Sequence, residues 1–212
     1  MPAFTLKQGD KVLFIGDSIT DASRRDQPPL GNGYVSIFKD LADSLRPELK
    51  LNVINKGISG NTALDLRERW EDDVIALNPN VISVMIGIND VHRYLSGDVR
   101  LSVDHYAEAY RDVLEITSKR LNAEIVLLSP FYISKAKEMD TFRKKVLETL
   151  PDYIRVVEGL SKEFSTAYLD LHREFKMRLE YLDPETFAPE PVHPNRRGHT
   201  LIALKLSQLL LV

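Results

Sequence analysis

Hydrophobic residues along the chain fall into two alternating patterns. Five short runs are largely apolar and rich in β-branched residues, and each is followed by a turn signal: Val12 to Ile15, Leu51 to Ile54, Val81 to Ile86, Ile125 to Leu128, and Ala167 to Leu169. Runs of this kind predict buried strands. Between them the apolar positions recur at mostly three- and four-residue steps, as Val35, Ile37, Phe38, Leu41 and Leu45 do within Tyr34 to Leu45. Similar spacing predicts helices over about 62–77, 103–121, 139–164 and 197–211.

Largely apolar strands alternating with amphipathic helices call for a parallel sheet covered on both faces, because each crossover returns over the sheet with the same hand. The expected fold class is α/β, a three-layer α/β/α sandwich built on a flavodoxin-like, doubly wound, five-stranded parallel sheet. No Gly/Ser-rich linker, repeat or low-complexity tract interrupts the pattern, so residues 1–212 read as one domain. Pro184, Pro189, Pro191 and Pro194 mark 182–195 as a loop. Sheets of this type hold their ligands beyond the carboxyl ends of the strands.

Composition removes several function classes. Twenty-eight Lys and Arg against 31 Asp and Glu leave a net charge of −3, which supplies no basic face for a polyanion and argues against nucleic acid as a partner. The chain has no cysteine, which excludes disulfides, a thiol nucleophile and cysteine-ligated zinc. The opening MPAFTLKQGD lacks the pattern of a signal peptide, and apolar stretches such as Val84 to Ile88 and Leu209 to Val212 fall far short of the roughly 20 residues of a membrane span. A soluble, cytoplasmic protein without membrane contact is expected. Leu201 to Val212 is apolar on more than one side, more than one helix usually buries, and this predicts a homo-oligomer.

Residues able to do chemistry follow the strands. Gly16-Asp17-Ser18-Ile19-Thr20 places a serine at the end of the first strand, a position for a nucleophile and equally for a helix cap or a phosphate turn. The spacing is not that of the G-x-S-x-G elbow, a P-loop or a dinucleotide fingerprint. Asn55-Lys56-Gly57-Ile58-Ser59-Gly60-Asn61-Thr62 follows the second strand, and its two glycines allow the backbone to aim N–H groups at a ligand, or to make a turn that caps the next helix. Gly87-Ile88-Asn89-Asp90 follows the third and brings an amide that suits an oxyanion hole or an Asx-turn. In the late loop Glu190 precedes His193 by three residues, the way a carboxylate orients a general base. Each site alone has a structural explanation, but chance does not readily assemble all four.

With GDSIT at 16–20, N-x-G-x-x-G at 55–60, G-x-N-D at 87–90 and H-P-N-x-x-G-H at 193–199, the chain resembles the SGNH hydrolases, the GDSL-type esterases and lipases, over essentially its whole length. The resemblance implies that Ser18 is the nucleophile and His193 the base. It also implies an oxyanion hole made by the backbone N–H groups of Ser18 and Gly60 and the Asn89 side chain, with no cofactor or metal. Family members usually carry Asp three residues before the His, where this chain has Glu190. That leaves three arrangements: a triad through Glu190, a Ser-His dyad, or a carboxylate from Asp183.

Cytoplasmic relatives of this kind include carbohydrate deacetylases, so the resemblance points to a serine esterase for small acyl groups, foremost acetyl on sugars. A lysophospholipase or thioesterase for longer acyl chains is the alternative, and a non-catalytic glycan-binding module a distant one. The remaining histidines, His92, His105, His172 and His199, have no ligand spacing and are expected in structural or surface roles. Asp17 and Asp90 are expected to hydrogen-bond their loops, Arg67 and Trp70 fit a helix face at least as well as a sugar-stacking site, and Arg24, Arg25 and Tyr34 are expected near the pocket.

Overall fold

In a computed structural model, residues 5–135 and 141–211 are described. Residues 139 and 140 of the predicted 139–164 helix, and Val212 of the apolar terminus, lie outside them. Strands β1 (Lys11–Gly16), β2 (Asn52–Gly57), β3 (Val81–Met85), β4 (Glu124–Leu128) and β5 (Ala167–Leu169) form one parallel sheet in the order β2-β1-β3-β4-β5. Gly16 stands level with Gly57 on one side and Met85 on the other, so the carboxyl ends of β2, β1 and β3 finish together.

Eight α-helices are present among the described residues: α1 (Ser18–Asp21), α2 (Tyr34–Leu45), α3 (Ala63–Trp70), α4 (Ile88–Leu95), α5 (Val103–Arg120), α6 (Phe142–Glu163), α7 (Leu171–Leu179) and α8 (Arg196–Leu210). The strand order reverses at β1, which puts α2 and α8 together on one face and α3, α5 and α6 on the other. Both faces are apolar, and every residue of β3 is buried. The expected doubly wound sandwich is therefore observed, and its switch point lies between β1 and β3.

Differences from the sequence reading have local causes. β2 extends through Asn55, Lys56 and Gly57, which the apolar pattern assigns to a loop. The polar side chains are satisfied in place: buried Asn55 donates to the Thr20 and Leu30 carbonyls and accepts the Gly57 N–H, and Lys56 pairs with Asp73. The predicted 62–77 helix is α3 followed by a wider turn over Glu71–Ile75, where Ala76 N–H bonds the carbonyl of Glu71 five residues back. Helices α1, α4 and α7 are short and were not predicted; α7 buries Leu171, Phe175 and Leu179 at four-residue steps. Within the proline-rich loop, only Pro184–Thr186 forms a single tight turn. Helix α8 buries Leu201, Ile202, Ala203, Leu206 and Leu210 within this chain and packs on α2, while Leu204 points outward.

Candidate active site

β1 delivers its last residue, Gly16, against the backbone of β3: a Cβ there would stand 2.2 Å from the Met85 carbonyl oxygen. The chain then turns through Asp17, whose buried Oδ1 accepts the Ile19 N–H at 2.9 Å and so starts α1. Ser18 is the first residue of that helix and half-buried. Its Oγ lies 2.9 Å from Nε2 of His193, although the two are 175 residues apart in the chain.

His193 is oriented by its own loop. Its Nδ1 stands 2.5 Å from Glu190 Oε1, which also accepts the His193 backbone N–H at 2.7 Å, while Glu190 Oε2 accepts the Val192 N–H at 2.9 Å. Partial burial alone would raise the Glu190 carboxyl, but these donors and the imidazole outweigh it and hold the group below the ordinary carboxylate range. Asp183 is not part of the arrangement: its exposed carboxylate faces Lys135 at 3.4 Å. Of the three possibilities left by the sequence, the geometry brings Glu190 to the histidine.

The loop after β2 is held by several elements at once. Ser59 donates through N–H and Oγ to Asp21 Oδ2, Gly60 accepts from Arg93 at 2.7 Å, and the Asn61 carbonyl accepts the Asn89 side-chain amide at 3.0 Å. Thr62 and Asp65 form a reciprocal cap at the start of α3. Gly60 has φ +83°, a conformation that favours glycine. Among the described residues neither the Ser18 N–H nor the Gly60 N–H is taken by another acceptor. Asn89 comes from α4, which starts after Gly87 (φ +134°), and the next residue, Asp90, is buried with Oδ1 on the Ala63 N–H.

The remaining candidates fall elsewhere. Arg67 pairs with Asp112, and buried Trp70 donates to Thr117, so both serve the α3–α5 contact. Tyr34 is buried with its hydroxyl on Thr20, which corrects its placement near an open pocket. Arg24 braces the Gly57 carbonyl at 2.6 Å, and Arg25 is exposed. His199 is buried, its Nδ1 accepting the Tyr34 N–H, and burial, helped by His193, lowers it to about 4. His172 accepts the Tyr132 N–H at 3.4 Å, and His105 contacts Ser102. His92, one turn after Asn89, is half-buried against the Tyr132 and Phe142 rings.

Sequence reasoning missed Asp21, Arg93 and Arg69 as supports of the loop. Arg93 had a local signal, since it follows Asn89 by one helical turn, and so did Arg69, which precedes Asp73 by four residues.

A hydroxyl on an imidazole and that imidazole on a carboxylate make the layout of a serine ester hydrolase. The chain belongs to the GDSL-like lipase/acylhydrolase family, whose model matches residues 14–201. It is 40% identical over 205 residues to an acetylxylan esterase of Geobacillus stearothermophilus, covering 92% of this chain and 91% of that one. The crystal structure of Axe2, an acetylxylan esterase from the same organism, superposes with a TM-score of 0.86 at 38% identity, over 97% of this chain and 96% of that one. An α/β hydrolase from the metagenome of Lake Arreo, LAE5, gives the same TM-score at 28% identity, over 99% and 97% of the two chains. Axe2 structures described as catalytic mutants carry changes at a serine, an aspartate and a histidine, the aspartate three residues before the histidine.

Proposed function

We propose that this chain removes small acyl groups, acetyl foremost, from carbohydrates, with Ser18 as nucleophile, His193 as general base and Glu190 as the carboxylate that orients it. The observation that carries this reading is the continuous contact from Ser18 Oγ to His193 Nε2 at 2.9 Å and from His193 Nδ1 to Glu190 at 2.5 Å.

In the proposed reaction His193 takes the Ser18 proton as Oγ attacks the ester carbonyl. The Ser18 and Gly60 N–H groups and the Asn89 amide receive the negative oxygen. Collapse breaks the ester bond, and the departing sugar oxygen takes the proton from His193. Water, deprotonated by His193, then attacks the acyl-enzyme and releases the acid, returning the proton to Ser18.

Two features support a sugar ester over a long acyl chain. A cleft of about 340 Å³ that includes Glu190, though not Ser18, Gly60, Asn89 or His193, is lined also by Lys135, Arg143, Asp183 and Glu185, which suit hydroxyl groups. A more apolar cleft, lined by Leu147, Ile154 and Leu179, includes none of Ser18, Gly60, Asn89, Glu190 and His193. The relatives named above add acetylxylan as the first polymer to try. The reading includes one hydrolase domain over 1–212, supported by a buried apolar cluster on both sheet faces. It also includes self-association through the outer side of α8. Among the described residues no helix is long and apolar enough to cross a membrane.

The test is hydrolysis of p-nitrophenyl esters from acetate to octanoate by the wild type and by Ser18→Ala, followed by acetate release from acetylated xylo-oligosaccharides. Fastest turnover of acetate, lost in the variant, supports the proposal. Rates that climb with acyl length point to the lysophospholipase or thioesterase alternative, and binding of acetylated sugars without release of acid points to a binding module. A 24.2 kDa species alone in light scattering removes self-association.

A further inference from the structure

Arg69 lies on α3, outside the contacts among Ser18, His193 and Glu190, and its side chain is only 15% exposed. Four of its five N–H groups are used. Nε donates to Asn61 Oδ1 at 2.8 Å, Nη1 to the Lys56 carbonyl at 2.8 Å and to Asp73 Oδ2 at 2.7 Å, and Nη2 to the Gly16 carbonyl at 3.1 Å. These acceptors belong to different segments: Gly16 is two residues before Ser18, Lys56 is near the end of β2, and Asn61 directly follows Gly60. A planar fork of donors can satisfy such a set together, whereas an ammonium is a point charge with three donors.

The network continues in both directions. Asp73 also accepts from Lys56 Nζ at 2.8 Å, so Lys56 is held through its side chain and its carbonyl. Burial alone would raise the Asp73 carboxyl, but Lys56 and Arg69 outweigh that and keep it below its ordinary range. On the other side the Asn61 carbonyl accepts the Asn89 amide at 3.0 Å. A chain of hydrogen bonds thus runs from Gly16 through Arg69 and Asn61 to Asn89, connecting the three segments that carry the oxyanion donors.

We propose that Arg69 is a positioning residue for the hydrolytic reaction: its guanidinium holds the turn before Ser18 and the loop at Gly60 as one unit, keeping the attacking oxygen in register with the oxyanion donors. This rests on the esterase reading above. It assigns Arg69 an effect on the chemical step beyond fastening α3 to the sheet, because displacing reacting groups by about 1 Å costs on the order of 10²-fold in rate.

The experiment compares wild type, Arg69→Ala and Arg69→Lys on p-nitrophenyl acetate, with functional sites counted by the burst from a phosphonylating p-nitrophenyl ester and folding followed by thermal melting. Expected is a fall in kcat per titrated site of about 10²-fold in Arg69→Ala with little change in KM. Millimolar guanidinium should restore part of that rate in Arg69→Ala and none in the wild type. Arg69→Lys should show the same loss at smaller size, and it carries the test if Arg69→Ala does not fold.

Unchanged kcat per titrated site, with only a lower melting temperature or fewer titrated sites, overturns the inference and leaves the esterase reading intact. An Arg69→Lys protein that does not fold makes the residue a folding determinant and also overturns it. A wild type with neither turnover nor a burst overturns the esterase reading, and this inference with it.

Discussion

One oxygen of Glu190 grips His193 twice, accepting the ring N–H at 2.5 Å and the backbone N–H at 2.7 Å. The second oxygen is occupied by Val192, so the turn itself sets the carboxylate's direction. The extra methylene relative to aspartate lets the carboxyl curl back over its own loop. Glu190→Gln keeps the size of the side chain and loses the charge that stabilises an imidazolium. It should lower kcat on p-nitrophenyl acetate by roughly 10² to 10⁴-fold, with Glu190→Asp between it and the wild type. Equal rates for Glu190→Gln and wild type would leave a Ser18–His193 dyad.

Asn89 has two amide hydrogens, and one is committed to the Asn61 carbonyl. In the proposed reaction the other meets the developing oxyanion. Asn89→Ala should cost about 10² to 10³-fold in kcat, or roughly 3 to 4 kcal/mol. Asn89→Asp, which replaces the donor with an acceptor, should be at least as impaired. Steady-state kinetics beside a melting curve separates this from unfolding, and a loss below tenfold in a folded Asn89→Ala would remove Asn89 from the oxyanion hole.

Burial pushes the Asp90 carboxyl up to about 7, and that of Asp17 up to about 6. Asp90 Oδ2 has no partner among the described residues, in keeping with a protonated group. Both folded values lie above the ordinary 3.8. Below that value folded and unfolded chains are equally protonated; above it the folded chain holds more protons, so stability falls as pH rises towards about 7. For Asp90 the full fall is roughly 4 kcal/mol, since each tenfold gain in proton affinity on folding corresponds to about 1.4 kcal/mol. Asp90→Asn removes its share, so its melting temperature relative to wild type should climb between about pH 4 and 8, the window bounded by the unfolded and folded values. Parallel melting curves would contradict the assignment.

Gly57 and Gly60 should respond oppositely to alanine. A Cβ on Gly57 would stand 2.1 Å from the Asp21 backbone nitrogen, so Gly57→Ala forces α1 off β2 and should yield little folded protein. At Gly60 the nearest atom to such a Cβ is Arg93 Nη2 at 3.6 Å, and the obstacle is the positive φ. Gly60→Ala should fold with a loss of about 1 to 2 kcal/mol, and lose kcat as its N–H turns away. Circular dichroism with activity per folded protein decides between these outcomes.

The sequence by itself determined the strands and their order of appearance, because largely apolar runs have few other places to go. It also singled out the candidate residues, since Ser18, Gly60 and Asn89 follow successive strands and Glu190 precedes His193 on one short turn. Tertiary structure alone chose Glu190 over Asp183, which required knowing that the latter is exposed and faces Lys135. It alone turned Asn55 to Gly57 into strand, because pairing with β1 outweighs their polarity. Arg69 reads in sequence as a helix-face charge with Asp73 four residues on, and its partners at 16, 56 and 61 are added only when the crossover lays α3 over the ends of β1 and β2. Local spacing reports which residues share a face or a turn, whereas hydrogen bonds between distant segments exist only after the sheet has set their separation.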